Sequence, residues 1–288
     1  MKFGCTGNIE KPEFNDIFMD LYSYLNKAGY QIYLSEDVYL DDLKGKLKNI
    51  ECKPMDKITN ECDILLSIGG DGTILSTFRQ VADKSIPILG IHIGGLGFLS
   101  ETNQDNYIQS LSSIVSGNYV TEKRMTLQVN IRGGDEMDYI ALNDVVIDHG
   151  NSPRTLQLHT FVSDHYLNTY VSDGIIFCTP TGSTAYSLSA GGPIITPNID
   201  VISVTPVCPH SLSARPIILS AEEKIKVQFN EDDVGMALSV DGQIHFPLDF
   251  TQEVHISRYE YDALLVRFPT NDYYTTLRTK MGWSGNFR

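Results

Sequence analysis

The sequence predicts an α/β N-terminal domain built on a parallel sheet, then an all-β, sandwich-like C-terminal domain, with a C-terminal tail that returns to the first domain. Three observations carry this expectation. In the first part, short and nearly continuous apolar runs, "CDILLSI" and "IPILGIHI", alternate with segments of helical period; strands buried on both faces of a parallel sheet read this way. After about Lys123 short strand candidates follow one another closely, bounded by Gly, Pro, Asn and Asp, which is the texture of an antiparallel sandwich or barrel. The closing stretch "YYTTLRTKMGWSGNFR" then breaks that pattern. At 288 residues the chain has room for two domains of ordinary size. The boundaries expected from texture are 1–120 for the α/β part, 121–270 for the β part and 271–288 for the tail.

Taken in order, "MKFGCTG" reads as a strand and "PEFNDIFMDLYSYLNKAGY" as an amphipathic helix, because Phe14, Ile17, Phe18, Leu21 and Leu25 recur at helical spacing and Gly29 is placed to end it. "QIYLS" is the next strand, followed by a charged stretch through Asp56. "DILLSI", the turn "GGDG" and "TILSTFRQVA" form a strand, a turn and a helix. In the second half the strand candidates are "TLQVNIR", "YIALNDVVI", "LHTFVSD", "GIIFCTP", "VISVTPV", "PIILS", "KIKVQF", "MALSV", "VHISRY" and "ALLVRF".

Composition excludes several classes. With 42% hydrophobic and 20% charged residues the chain is globular rather than disordered. A formal net charge of −14 with no basic patch argues against nucleic acid or an acidic membrane as partner. No apolar run approaches the ~20 residues of a membrane span, and the N-terminus has no signal-peptide pattern; a cytoplasmic protein is expected. The five cysteines include no CxxC pair, which argues against a disulfide framework or a zinc site.

The stretch "SIGGDGTIL", Ser67 to Leu75, places a lone carboxylate in a bare turn at the carboxyl edge of a parallel strand, where open α/β folds bind ligands. Gly69, Gly70 and Gly72 let a diphosphate approach the backbone, the amides of the following helix can face it, and Thr73 can cap that helix. A carboxylate beside phosphate is unfavourable unless it works with a metal ion or accepts a proton from an attacking hydroxyl. From the turn alone, Asp71 as a plain turn former is the open alternative. The turn lacks the Gly-Lys-Ser/Thr ending of a Walker loop, and "GGLGFLS" at 94–100 lacks the third glycine of a dinucleotide fingerprint. A second cluster, "TPTGSTAYSLSAGGP" (Thr179 to Pro193), carries seven hydroxyl side chains, three glycines and no Lys or Arg. It can offer hydrogen bonds to a ribose, a phosphate or a base edge, or it is a solvated turn followed by a short helix. Ser183 has no G-x-S-x-G elbow around it, which argues against a serine hydrolase. "LND" (Leu142 to Asp144) and "SDG" (Ser172 to Gly174) are polar groups in apolar strand regions, readable as site residues or as strand ends.

Together "IGGDGT", "GIHIGGLGFL", "LNDVVI", "SDGIIFCTPTGSTAYSLSAGGPIITP", "PHSLSARPIIL" and "TLRTKMGW" resemble the bacterial NAD kinase family, in this order and over nearly the whole chain. The resemblance implies ATP-dependent phosphorylation of the 2′-hydroxyl of the adenosine ribose of NAD, giving NADP and ADP. It implies Asp71 as general base, with Gly70 and Gly72 in the phosphate-facing turn. Asn143 and Asp144 would hold the ribose and nicotinamide side of NAD, and Asp173 would join that pocket from a neighbouring subunit. Thr184, Ala185, Tyr186, Ser187, Leu188 and Ser189 would line it, with Phe98 packing beside them and Arg154 and Gln243 as further binding residues. A divalent ion, Mg, would be carried by ATP rather than held at a dedicated protein site, and the chain would form a homo-oligomer, a tetramer or a dimer. Two positions depart from the family pattern: His92, where asparagine is usual, and Val171, where many relatives are basic or polar. The alternatives are a lipid or sugar-phosphate kinase sharing the GGDGT turn, and a non-catalytic NAD(P)-binding sensor.

Overall fold

The computed structural model describes residues 1–38, 50–95, 97–134, 136–150, 152 and 154–283. Much of the charged stretch after "QIYLS", Leu96 and the last five residues of the tail lie outside them. The chain forms two compact units: residues 1–123 with 264–288, and residues 124–263. No helix among the described residues is long and apolar enough to cross a membrane.

The first unit runs β1 (Lys2–Gly7), α1 (Glu13–Lys27), β2 (Gln31–Ser35), β3 (Glu51–Lys53), α2 (Met55–Glu61), β4 (Ile64–Gly69), α3 (Asp71–Val81), β5 (Ile88–His92), β6 (Thr102–Asn103), α4 (Tyr107–Val115) and β7 (Val120–Arg124). The sheet order is β3-β2-β1-β4-β5, continued by the returning strand Ala263–Arg267 and then β7, while β6 pairs with β5. From β3 across to the returning strand the neighbouring strands pair in parallel. All six residues of β4 are buried, the pattern of a strand covered on both faces. Helix α1 buries Phe14, Ile17, Phe18, Leu21 and Leu25, its stripe at 3.6-residue period meeting Phe3, Cys5, Leu66 and Ile68 in one core. It ends where Gly29 takes φ +79°, a left-handed conformation that favours glycine.

The second unit runs β8 (Leu127–Arg132), β9 (Met137–Ala141), β10 (Asp144–Asp148), β11 (Leu156–Val162), β12 (His165–Ser172), β13 (Gly174–Cys178), α5 (Tyr186–Ser189), β14 (Val201–Val207), β15 (Ile217–Ser220), β16 (Ile225–Gln228), β17 (Ala237–Val240), β18 (Ile244–Pro247) and β19 (Glu253–Arg258). Its sheets have the orders β15-β14-β13-β10-β17-β18 and β12-β11-β16-β19-β8-β9. Alternate residues, among them Leu127, Val129 and Ile131 of one sheet and Val145, Ile147, Ile175 and Phe177 of the other, meet in a shared core, as the period of two demands. Strand β13 is buried throughout because its other face also has a cover. Ile176 and Cys178 pack there with Val146, Ala190 and Val207, so the segment following β13 folds back over it.

Two details differ from the sequence expectations and a third adds to them. "YIALNDVVI" is not one strand: β9 ends at Ala141 and β10 begins at Asp144, because the amides of Leu142 and Asn143 bond to the Asp241 carboxylate instead of a neighbouring strand. "ALLVRF" belongs to the sheet of the first unit, through Leu265 paired with Ile88, so the chain re-enters that unit at Leu264. The tail contains a helix, α6 (Tyr273–Met281), capped by the Asp272 side chain, which accepts from the amides of Tyr274 and Thr275.

Candidate active site

Asp71 is the first residue of α3 and follows β4 across the Gly70 turn. The Gly70 N–H donates to Thr73 Oγ1 at 3.2 Å, so Thr73 fixes the entry of the helix from its third position rather than as its cap. A Cβ at Gly69 would lie 2.2 Å from Thr73 Oγ1, whereas one at Gly70 would meet nothing nearer than His92 Nε2 at 3.7 Å. Gly69 is therefore required by the fold, while Gly70 leaves open space at a helix N-terminus, the environment that suits an anionic group. Gly72 is exposed on the first turn of the same helix.

The Asp71 carboxylate is held in one orientation. Oδ2 accepts the Phe98 N–H at 2.8 Å and Oδ1 the Leu99 N–H at 3.2 Å. The approach is close enough that a Cβ on Gly97 would fall 1.9 Å from Oδ1. Gly97 was outside the residues singled out in the sequence, though it stands in the quoted "GGLGFLS". The Gly97 N–H in turn donates to Ser100 Oγ at 2.9 Å. His92 closes β5 opposite Gly69, and its Nδ1 is buried with no hydrogen-bond partner.

In the second unit the organising group is Asp241, which the sequence reading passed over. It sits with Gly242 in the turn between β17 and β18, at φ +51° and +62°, conformations that Asp-Gly turns favour. Its Oδ2 accepts from Leu142 N at 3.2 Å, and its Oδ1 from Asn143 N at 2.7 Å and Asp144 N at 3.2 Å. The "LND" segment is thereby held against the segment after β13: Thr179 donates through N to Asn143 O and through Oγ1 to Leu142 O. A Cβ on Gly182 would lie 2.1 Å from Asn143 O, so glycine is obligatory there. Burial and, after it, the charge of Asp241 push the Asp144 carboxyl up to about 7, against the opposing hydrogen bond from the Tyr186 backbone.

The hydroxyl-rich segment divides by direction. Ser183 faces inward: its hydroxyl donates to Pro180 O at 2.6 Å and accepts from Ile195 N at 2.9 Å, a structural role. Ser187 is also buried, with Oγ 3.0 Å from Thr205 Oγ1. Tyr186 is 49% exposed, and burial followed by the nearby Asp148, Cys208, Asp144 and Asp173 raises its phenol pKa. Ser189 is exposed, Thr184, Ala185 and Leu188 half-buried. Asp173, half-buried between β12 and β13, accepts from His149 N through its carbonyl and donates its own N–H to Val207 O. Asn143, Asp144, Asp173 and the Thr184–Ser189 segment thus share one neighbourhood. Arg154 is exposed on the loop after β10, its N–H on Ser152 Oγ, and Gln243 is exposed in the Asp241 turn. The structure also brings in a cation: buried Arg124 donates through Nη1 to Thr181 Oγ1 at 3.3 Å, although the segment itself has no basic residue.

The family model described as the ATP-NAD kinase N-terminal domain matches residues 3–119, and that of the ATP-NAD kinase C-terminal domain matches residues 142–268. The chain belongs to the NAD kinase family. An NAD kinase from Caldanaerobacter subterraneus subsp. tengcongensis is 36% identical over 285 residues, 97% of this chain and 98% of the relative. One from Salmonella dublin is 35% identical over 287 residues, 98% of this chain and 97% of the relative. A crystal structure of yeast NADH kinase complexed with NADH is similar with a TM-score of 0.90 at 28% identity, covering 100% of this chain and 89% of that one. An NAD kinase from Archaeoglobus fulgidus in complex with ATP shares the fold, with a TM-score of 0.75 at 23% identity over 98% of this chain and 99% of that one. The chain is thus a member of a family of ATP-dependent kinases, with the fold class expected from its sequence.

Proposed function

We propose that this NAD kinase family member transfers the γ-phosphoryl group of ATP to the 2′-hydroxyl of the adenosine ribose of NAD, with Asp71 accepting the hydroxyl proton. The observation that carries the reading is the Asp71 carboxylate fixed by two amides at the open, glycine-bordered N-terminus of α3. An alcohol becomes acidic only as its bond to phosphorus forms, so a base with a fixed orientation within hydrogen-bond reach matters more than an unusual pKa. The helix N-terminus and the space at Gly70 receive phosphate oxygens.

Asn143, Asp144, Asp173 and the Thr184–Ser189 segment bind NAD, with Phe98 packing against it; Arg154 and Gln243 add contacts at the edge. Burial and the Asp241 charge raise the Asp144 carboxyl to about 7, so near neutral pH it can donate as well as accept a hydrogen bond to a ribose hydroxyl. Among the described residues no group of three or more His, Cys, Asp and Glu could hold a metal ion. A divalent ion, Mg, comes with ATP and supplies charge neutralisation on the phosphates. The protein acts in the cytoplasm as a homo-oligomer.

The test is NADP formation from NAD, ATP and Mg by the purified protein, read with an NADP-specific dehydrogenase. NADP formed in proportion to enzyme supports the reading. Binding of NAD without turnover would make the chain a sensor, and phosphorylation of a lipid or sugar phosphate in place of NAD would move it to the other GGDGT kinases.

A further inference from the structure

We propose that Arg267 is a positioning residue for the phosphoryl-transfer step, acting through the Phe98–Leu99 backbone on Asp71; the inference rests on Asp71 being the base. The peptide that holds the Asp71 carboxylate by its N–H groups is held by its carbonyls from the other side. Arg267 Nη2 donates to Phe98 O at 3.3 Å and Nη1 to Leu99 O at 3.4 Å. These bonds are long, and the guanidinium is kept in place by stronger ones: Nη1 to Glu101 Oε2 at 2.8 Å and Nε to Glu122 Oε2 at 2.7 Å. Glu101, itself buried, also accepts from Phe268 N at 2.7 Å and Asn271 Nδ2 at 2.8 Å.

The segment that re-enters the first unit therefore clamps residues 98–101, and that loop sets the carboxylate. The guanidinium is planar and carries its donors in a fixed fork, so it can serve two carboxylates and two carbonyls at once. A donor on the Phe98 carbonyl also polarises the Phe98–Leu99 peptide and strengthens the Leu99 N–H as a partner for Asp71, while the bond to Leu99 O holds the following peptide in place. Nothing in the reading of Arg267 as a plain structural ion pair requires the fork to reach Phe98 and Leu99.

The discriminating variant is Arg267→Lys, because removing the cation altogether would strand buried Glu101, whereas lysine keeps a charge for the carboxylates and lacks the fork. The expected result is a kcat lowered by about 10- to 100-fold, the range for small misplacements of a reacting group, with KM for NAD and for ATP within about twofold and the unfolding midpoint close to wild type. Arg267→Ala beside the ≈ 270 Å³ cavity lined by Phe98, Glu101, Val120 and Glu122 should recover part of its kcat with millimolar guanidinium, saturably. In an Asp71→Asn background neither substitution should lower kcat further. Wild-type kcat in Arg267→Lys, or losses tracking the folded fraction with no guanidinium rescue, overturns the inference while leaving the base reading intact. Wild-type kcat in Asp71→Asn alone overturns both.

Discussion

Gly97→Ala is the sharpest probe of how Asp71 is held. The new Cβ would lie 1.9 Å from Asp71 Oδ1, 2.4 Å from Cγ and 2.6 Å from Oδ2. Ordinary contact begins near 3.4 Å, so the carboxylate or the 97–99 loop must retreat by about 1.5 Å, well beyond what thermal adjustment of a packed site absorbs. Either retreat breaks the bonds to Phe98 N and Leu99 N, both of which sit at hydrogen-bond length. Misplacement of a reacting group by about 1 Å can lower the rate about 100-fold, equivalent to about 2.7 kcal/mol in the barrier. Overpacking adds a stability loss of about 1–3 kcal/mol, which the fold should survive. The assay is steady-state NADP formation with calorimetric NAD binding and a urea unfolding curve on the same preparation. We expect kcat reduced by about 100-fold, NAD affinity retained and a lowered midpoint. A kcat within threefold of wild type would refute the reasoning, since it would mean that the observed carboxylate orientation is not the one used.

In the second unit, Asp144→Asn should reshape stability against pH. A carboxyl raised from 3.8 to about 7 keeps its proton in the native state where the unfolded chain has lost it, so native stability falls as pH rises through that window and is flat above it. The asparagine variant removes a penalty on the order of 4 kcal/mol at pH 8 as an upper bound and gains nothing below about pH 4; parallel unfolding curves at the two pH values for both proteins would contradict this. Gly182→Ala, whose Cβ would meet Asn143 O at 2.1 Å, should raise KM for NAD and lower the thermal midpoint. An unchanged KM would separate the Asn143 turn from NAD binding.

Much of the fold is legible in the sequence because local patterns settle it. The helical stripe from Phe14 to Leu25 and the apolar runs of β4 and β13 have one physical reading each. "ALLVRF" suits either unit by its own composition, and only its pairing with β5 assigns it. The break in "YIALNDVVI" is invisible locally, because the acceptor that draws its amides away is Asp241, about a hundred residues downstream. The same distance hides Arg124 at Thr181 and Arg267 behind Phe98, since a single cation in a strand carries no motif. Gly97 is different: a glycine four residues before a buried glutamate was in view, yet the need for it arises from Asp71, which the chain places 26 residues earlier. Asp71 stands out in the sequence because a carboxylate beside phosphate needs a reason, although the turn alone leaves it equally readable as a turn former.

The central claim is that Asp71 takes the proton of the attacking hydroxyl. The most direct measurement is the single-turnover rate of NADP formation in Asp71→Asn, with NAD affinity determined by calorimetry on the same protein. Asparagine preserves the size of the side chain and keeps one of the two backbone hydrogen bonds, its amide nitrogen facing the other N–H, but cannot hold the proton, so the rate should fall by about 100- to 10,000-fold while the affinity stays within about threefold. A rate near wild type with intact binding would contradict the claim and leave Asp71 as a residue that only shapes the turn.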